Sequence, residues 1–399
     1  MNNQELADYR LKLHADAMDP NKKPDRIPHM SFFVTWKILD SGYKLTEAMS
    51  DWDVMEKVMR QFQERYNFDS HIEFGNRNNY LTSKILGESR YYINDEEGSV
   101  NYKDFAMCET DELIEYAKDP FKFRWTKGMA KKYSWWREDQ VDIDMLNAAY
   151  KANTDYMMFM GYDMKGRMPK ILHDEYGIPY YSESKGFCMA PIETLFNHLR
   201  GIKGLSIDLR RHADIVRECL HIMDEDPAMG FNANIERMRN NPAPASDCAV
   251  YDYDNTLLAH SILNPKQWEE FYWPYLKPVL ETCKEHGWRC RLFTEASSGR
   301  FFDYFNELPE GTFALHLEND DIFEAHRKMP RQCMVGGMTT LMLGSATPQQ
   351  CVDHAKKLID EVGEDGNFIL CQDKMASYRN DCTRENLEAV CNFVQNYRS

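Results

Sequence analysis

The sequence predicts the α/β class: a (β/α)8 TIM barrel with a cap-like insertion at about residues 80–180. Three observations carry that expectation. The second half alternates strand and helix four times, at lengths that imply parallel strands joined by right-handed crossovers. The first half supplies four more strand-like runs, which completes the eight that a barrel needs. Residues 80–180 break the rhythm and read as one excursion over the barrel mouth, within a single domain spanning 1–399.

In chain order, the first strand is expected over Ile27–Phe33. A helix follows over Asp51–Tyr66, where Val54, Met55, Val58, Met59 and Phe62 recur at helical spacing. The second strand is expected over Ser70–Phe74. Inside the excursion, Tyr91–Asn94 and Val100–Phe105 form a hairpin turning at Asp95-Glu96-Glu97-Gly98, before helical, aromatic-rich sequence with Trp125, Tyr133, Trp135 and Trp136. Gly186–Met189 and Ala249–Tyr253 are expected as strands three and four. Asn264-Pro265-Lys266-Gln267 then opens a helix with an N-cap, a proline at the first turn and a reciprocal Gln. Pro274 and Pro278 inside that helix predict a kink or a split. Strands Trp288–Phe293, Thr312–Leu317, Gln332–Val335 and Asn367–Cys371 complete the set. The helix after Thr347-Pro348-Gln349-Gln350 carries a second capping box, and Thr383 starts the last helix.

Composition narrows the function. Among 399 residues, 43% are hydrophobic, enough for a large core, and no apolar run approaches the ~20 residues of a membrane span. The start, Met1 to Leu6, lacks the basic and apolar regions of a secretory leader, which predicts a cytoplasmic protein. Eleven cysteines scattered singly fit reduced thiols, and 23 methionines suit an anaerobic setting. A net charge of −16 opposes nonspecific binding to nucleic acid or to anionic membranes.

Barrel chemistry gathers at the carboxyl ends of the strands. Glu295 follows strand five, His316 closes strand six and Cys371 closes strand eight, and these offer O, N and S donors to a catalytic zinc with one open position. Each also has a structural reading: Glu295 as a helix-cap or salt-bridge partner, His316 as a satisfied barrel histidine, Cys371 as a small apolar filler. Asp252 and Asp254, at the expected end of strand four, are candidates for acid–base catalysis, or for loop capping. Tyr251, His29 and Trp36 are candidate substrate contacts, or packed residues. His71 and Glu73 alternate on strand two. Gly336-Gly337 would keep side chains away from a ligand.

Four stretches carry a family resemblance: Asp25-Arg26-Ile27-Pro28, the run from Pro265 to Tyr275 (PKQWEEFYWPY), Gly344-Ser345-Ala346-Thr347-Pro348, and Glu385-Asn386-Leu387. The chain resembles the uroporphyrinogen decarboxylase superfamily over nearly its whole length apart from 80–180. That resemblance implies a (β/α)8 barrel holding either decarboxylases or corrinoid-linked methyltransferases. Decarboxylases of the family bind a polycarboxylate with arginines after strand one, yet no arginine lies between Ile27 and Met59 here. The methyltransferase branch shows His-x-Cys-Gly after strand five, where this chain has Phe293, Thr294, Glu295 and Ala296. Glu295 therefore stands where the family's thiolate ligand would be, and the site is either rebuilt or lost. A carboxylate-bearing zinc would favour an oxygen leaving group. The resemblance thus implies an O-demethylase methyltransferase component, with a corrinoid protein as partner, a small methyl donor, and a homodimer as one assembly. Three alternatives stay open: methyl transfer from methylcobalamin to a thiol, decarboxylation of a small acid, and a non-catalytic partner of a corrinoid protein. No Asp-x-His-x-x-Gly corrinoid-binding segment is present, so the corrinoid would arrive free or on another chain.

Overall fold

A computed structural model describes all residues except 73–79, 88–90, 137–141, 187 and 399. Eleven strands are formed among the described residues: β1 Met30–Ser31, β2 Ser70–His71, β3 Tyr91–Asn94, β4 Ser99–Tyr102, β5 Tyr180–Ser182, β6 Ala249–Tyr251, β7 Tyr253–Leu257, β8 Cys290–Thr294, β9 Ala314–Leu317, β10 Cys333–Met338 and β11 Phe368–Gln372. β3 and β4 are the antiparallel hairpin of the insertion. The other nine make eight positions of a parallel barrel, because β6 and β7 are one strand interrupted at Asp252. β7 through β11 form one continuous five-stranded parallel sheet. β1 pairs with β2, β5 pairs with β6, and bridges His29–Leu370 and Phe33–Ala376 close β1 onto β11.

Strand alternation divides the side chains into two layers. Met30, Phe32, Phe293, Val335, Ile369 and Cys371 fill the barrel interior. Leu292, Leu315, Met334, Phe368 and Leu370 face outward into the shell of helices. At the amino-terminal end, Asp69 accepts both guanidinium nitrogens of Arg26 at 2.7 and 2.6 Å and the His29 backbone N–H at 2.8 Å, locking the start of β2 to the entry of β1.

Several strand boundaries differ from expectation: the first strand is only Met30–Ser31 and the seventh runs on to Met338. Strand three is Tyr180–Ser182, β5, upstream of the expected Gly186–Met189; beyond it Ser184 takes φ 46° while Glu183 and Lys185 still donate to the Tyr251 and Asp252 carbonyls. Strand four runs on to Leu257 instead of stopping at Tyr253. The hairpin's second arm is Ser99–Tyr102, and the expected Glu73 and Phe74 lie outside the described residues. The proline-bearing helix is split, as Pro265–Phe271 and Trp273–Glu285, with Tyr272 between them and Pro278 inside the second part.

The insertion's main element is a continuous helical run. An α-helical segment Ile143–Met157 passes into a π-helical segment Met158–Arg167 and returns to α over Met168–Tyr176. Gly177, at φ 64°, ends it in the left-handed conformation that glycine adopts freely. Phe159, Met164, Met168 and Leu172 pack with Met55, Val58 and Met59 of the helix Trp52–Tyr66, so the insertion is anchored on the barrel's own shell.

Five of the histidines are buried in the neutral form. Burial holds His14, His29 and His260 down at about 4, and also holds His71 and His316 well down. In an unfolded chain each protonates near 6.5. Below that pH the unfolded state therefore takes up protons that the folded state refuses, and stability is lost as pH falls from about 6.5 toward 4. The urea midpoint is expected to drop across this window, with each histidine contributing up to about 1.4 kcal/mol per pH unit. A flat profile between those values would show that the rings are solvated.

Candidate active site

β8 reads Cys290-Arg291-Leu292-Phe293-Thr294, so Arg291 and Phe293 share the inward face while Cys290 and Leu292 pack outward. That alternation drives a guanidinium into the barrel, where Arg291 is 1% exposed. A buried charge must be met by partners on every side. Its Nη1 donates to Asp254 Oδ1 on β7 at 2.7 Å and to the Tyr181 hydroxyl on β5 at 3.2 Å. Its Nη2 lies 2.7 Å from His316 Nδ1 on β9. The rings of Phe32 and Phe293 flank it at 5.4 and 5.3 Å.

This network settles the protonation of its members. Arginine only donates, so His316 Nδ1 must accept, and the proton sits on Nε2, which donates to the Gln372 carbonyl at 2.7 Å. Burial and the adjacent guanidinium both push His316 toward its neutral form. Burial raises the Tyr181 phenol well above its ordinary value, so it stays a hydroxyl and a hydrogen-bond donor.

A cavity of about 350 Å³ opens on Asp254 and Tyr181. It lies beside β5, and no ladder joins β2 to β5 among the described residues. Ile72, Met160, Met164 and Pro169 give it apolar walls, while Ser182, Ser184 and Lys165 add polar groups. Met160, Met164 and Lys165 belong to the π-helical segment, so the insertion roofs the space. Three larger hollows, of about 660, 480 and 360 Å³, lie on the helix Phe231–Arg239, around Lys284 to Ala314 near the strand starts, and between Tyr116, Met189 and Phe231, and none is lined by this polar cluster.

Among the described residues singled out from sequence, Asp254 alone reaches this cavity, and it does so from within strand four rather than from its end. Asp252 is fully buried at the β6–β7 break, where its carboxylate accepts the backbone N–H groups of Ser246 at 2.6 Å and Arg289 at 2.9 Å. Its role is to bridge that break. Tyr251 is buried inside the barrel with its hydroxyl toward Met30 Sδ. His29 packs on Phe68 at 4.5 Å, and the Trp36 indole donates to the Cys382 carbonyl at 3.0 Å. These three belong to the packed interior and line no substrate space.

The expected zinc triad does not fit. Among the described residues no three His, Cys, Asp or Glu side chains are grouped to hold a metal. Both ring nitrogens of His316 are already engaged, which leaves no lone pair for an ion. Cys371 sits in the barrel interior, and burial raises its thiol, the opposite of what a thiolate ligand needs. Glu295 lies on the rim at a built turn. Its backbone N–H donates to the Leu257 carbonyl, Ala296 adopts φ 60°, and Glu318 and Asp320 hold the following backbone N–H groups of Ala296, Ser298 and Gly299. Beside this turn, the buried Glu193 accepts Tyr272 Oη and the N–H groups of Leu258 and Ala259, and burial pushes its carboxyl up to about 7.

Arg291, Tyr181 and Lys165 were not singled out from sequence. Arg291 carried a readable signal: a cation between outward Cys290 and Leu292 in a strand buried on both faces must point into the barrel. Tyr181 and Lys165 carried none, because the strand and the roof that hold them lie in irregular sequence.

A parallel eight-position barrel with a polar cluster and a roofed cavity between two of its strands defines a (β/α)8 protein of the enzyme-bearing kind. Residues 185–397 match the family model described as uroporphyrinogen decarboxylase (URO-D), and the chain belongs to that family. No curated protein matches the chain. Among solved structures, a methyltransferase from Methanosarcina mazei shares the fold at a TM-score of 0.55 and 13% identity, over 96% of this chain and 98% of that one.

Elemental analysis of the purified protein is expected to return zinc well below one per chain, unchanged in His316→Ala. Stoichiometric zinc that disappears in His316→Ala would restore the triad.

Proposed function

We propose that the chain is a methyltransferase that takes a methyl group from a methoxylated aromatic compound and passes it to a corrinoid protein, that is, an O-demethylase component. The observation that carries this reading is the Tyr181 hydroxyl, held by Arg291 at the polar end of an otherwise apolar cavity. Breaking a methyl–oxygen bond leaves the electron pair on oxygen, and a donor fixed at that point stabilises the departing phenoxide. Tyr181 supplies the hydrogen bond, Arg291 supplies the fixed positive charge behind it, and Asp254 holds Arg291 in place. Lys165 offers a second cation from the roof. The cavity volume falls in the range of small-molecule sites, and Ile72, Met160 and Met164 suit a ring face.

The corrinoid, arriving on a separate chain, would supply the nucleophile that receives the methyl group. The family membership and the fold shared with a methyltransferase support this branch, while the absence of arginine between Ile27 and Met59 argues against a polycarboxylate substrate. Among the described residues no ligand set supports transfer to a thiol in the manner of zinc-thiolate chemistry.

With methoxylated phenols and free cob(I)alamin, methylcobalamin formation is expected by absorbance. Tyr181→Phe is expected to lower kcat by about 10²–10³ with little change in KM, the cost of one donor to a developing oxyanion. A fully active Tyr181→Phe enzyme, or release of carbon dioxide from a carboxylated substrate with no corrinoid present, would end this reading.

A further inference from the structure

The hollow of about 360 Å³ lies apart from the Arg291 cluster, where the start of the insertion meets the shell of helices. Tyr116, on the helix Leu113–Lys118, and Phe121, on the short helix Pro120–Phe123, form one wall. Asp119 caps that short helix by accepting the Lys122 N–H at 3.0 Å, and Pro120 sets its first turn. Met223 and Phe231, on the helices Ala213–Asp224 and Phe231–Arg239, form the other wall, joined by Met189 and Met229. Two of the rings are held in place by others: Tyr116 meets Phe123 edge-on at 5.7 Å, and Phe231 meets Tyr275 edge-on at 4.8 Å. The rim is apolar yet faces water, since Phe121 is 74% exposed and Met229 69%. A ring entering between them removes that apolar surface from solvent.

One cation at this cleft has nothing to balance it. Arg124 lines the space from its exposed edge, and its Nη2 donates to the Tyr116 hydroxyl at 3.4 Å. No carboxylate among the described residues comes within ion-pair reach of it. Two neighbouring cations are spent, Lys127 on Glu115 at 2.6 Å and Lys131 on Glu112 at 2.7 Å. Asp226 also lines the cleft, but its Oδ1 accepts the backbone N–H groups of Met229 and Ala228 at 2.8 Å each. Those two donors hold its carboxyl below the usual range. The acid is therefore occupied by its own loop, and the guanidinium keeps a planar fork of donors for a ligand.

We propose that this cleft is a second binding site, for a small aromatic monocarboxylate. The ring lies among Tyr116, Phe231 and the methionines, whose thioethers adapt to a ring face, and the carboxylate pairs with Arg124. The volume falls in the range of small-molecule sites. Such a ligand touches the insertion and the shell helices at once, so occupancy ties one to the other and raises Tm. The site stands independently of the Tyr181 cavity and of the reaction proposed there, because no lining residue is shared.

Methionine methyl NMR on the full chain tests this, because each cavity carries its own reporters. Met189, Met223 and Met229 line this cleft, while Met160 and Met164 line the other. The five signals are assigned through single Met→Leu substitutions, and phenylacetate is the probe. It is expected to shift the Met189, Met223 and Met229 methyls with a Kd of about 1 mM or below. Arg124→Gln is expected to weaken that binding about tenfold, and phenylacetamide, which lacks the charge, to bind wild type about tenfold more weakly than the acid. Lys165→Gln, on the other cavity, is expected to leave these three shifts unchanged. No shift at any of the three methyls, shifts confined to Met160 and Met164, or equal affinity for acid and amide would each overturn the proposal. Should Arg124→Gln misfold, the comparison of acid with amide on wild type decides it.

Discussion

The interior of this barrel is organised by a single permanent cation. A guanidinium cannot shed its charge, so Arg291, once placed on the inward face of β8, obliges the strands around it to supply acceptors. Asp254 comes from β7, Tyr181 from β5 and His316 from β9, and His316 passes the connection on to the β11 backbone at Gln372. Five of the eight barrel positions are thereby joined through one polar cluster. Without the cation His316 would have a free ring nitrogen and Asp254 would face the cavity unpaired. With it, the histidine is spent as an acceptor and the carboxylate as a counterion.

The same cluster explains why the candidate site was only half legible in the sequence. Seven of the eight strand positions could be read from alternation, capping boxes and turn residues, and the second half matches closely because its elements are regular and well capped. The failures are local. Strand three is only three residues long and the chain turns at Ser184, φ 46°, just beyond it, so Tyr180–Ser182 left no alternating pattern to find. Strand four is broken at Asp252, whose buried carboxylate accepts two backbone N–H groups where the ladder lapses. An aspartate pair in the middle of that strand therefore resembled its end.

The residue types suited to zinc were present at the right strands, and the error was one of availability rather than of location. Whether a histidine can ligate depends on what its two nitrogens already bind, and that is set by Arg291, twenty-five positions upstream of His316 on the neighbouring strand. Cys371 differs again: alternation places it beside Ile369 in the apolar interior, where burial favours the thiol over the thiolate. Glu295 was read as a ligand because it follows a strand on the same rim as His316 and Cys371 and stands where the resembling family has a thiolate. The backbone gives it another setting, a turn in which Ala296 takes a left-handed conformation and Glu318 and Asp320 tie down the N–H groups beyond it.

The position of the cavity follows from the lack, among the described residues, of a ladder between β2 and β5. A closed barrel of this size is filled by side chains and has no room for a ligand at its centre. Where two neighbouring strands are not zipped together, the wall opens sideways, and the side chains of Tyr181 and Asp254 become reachable from outside. The insertion enters the chain at this same gap, between β2 and β5, so its π-helical segment is carried over the opening by connectivity alone. The unspent valence of the wall and the roof above it therefore have one origin, and the fixed charge of Arg291 lies at the base of the space they enclose.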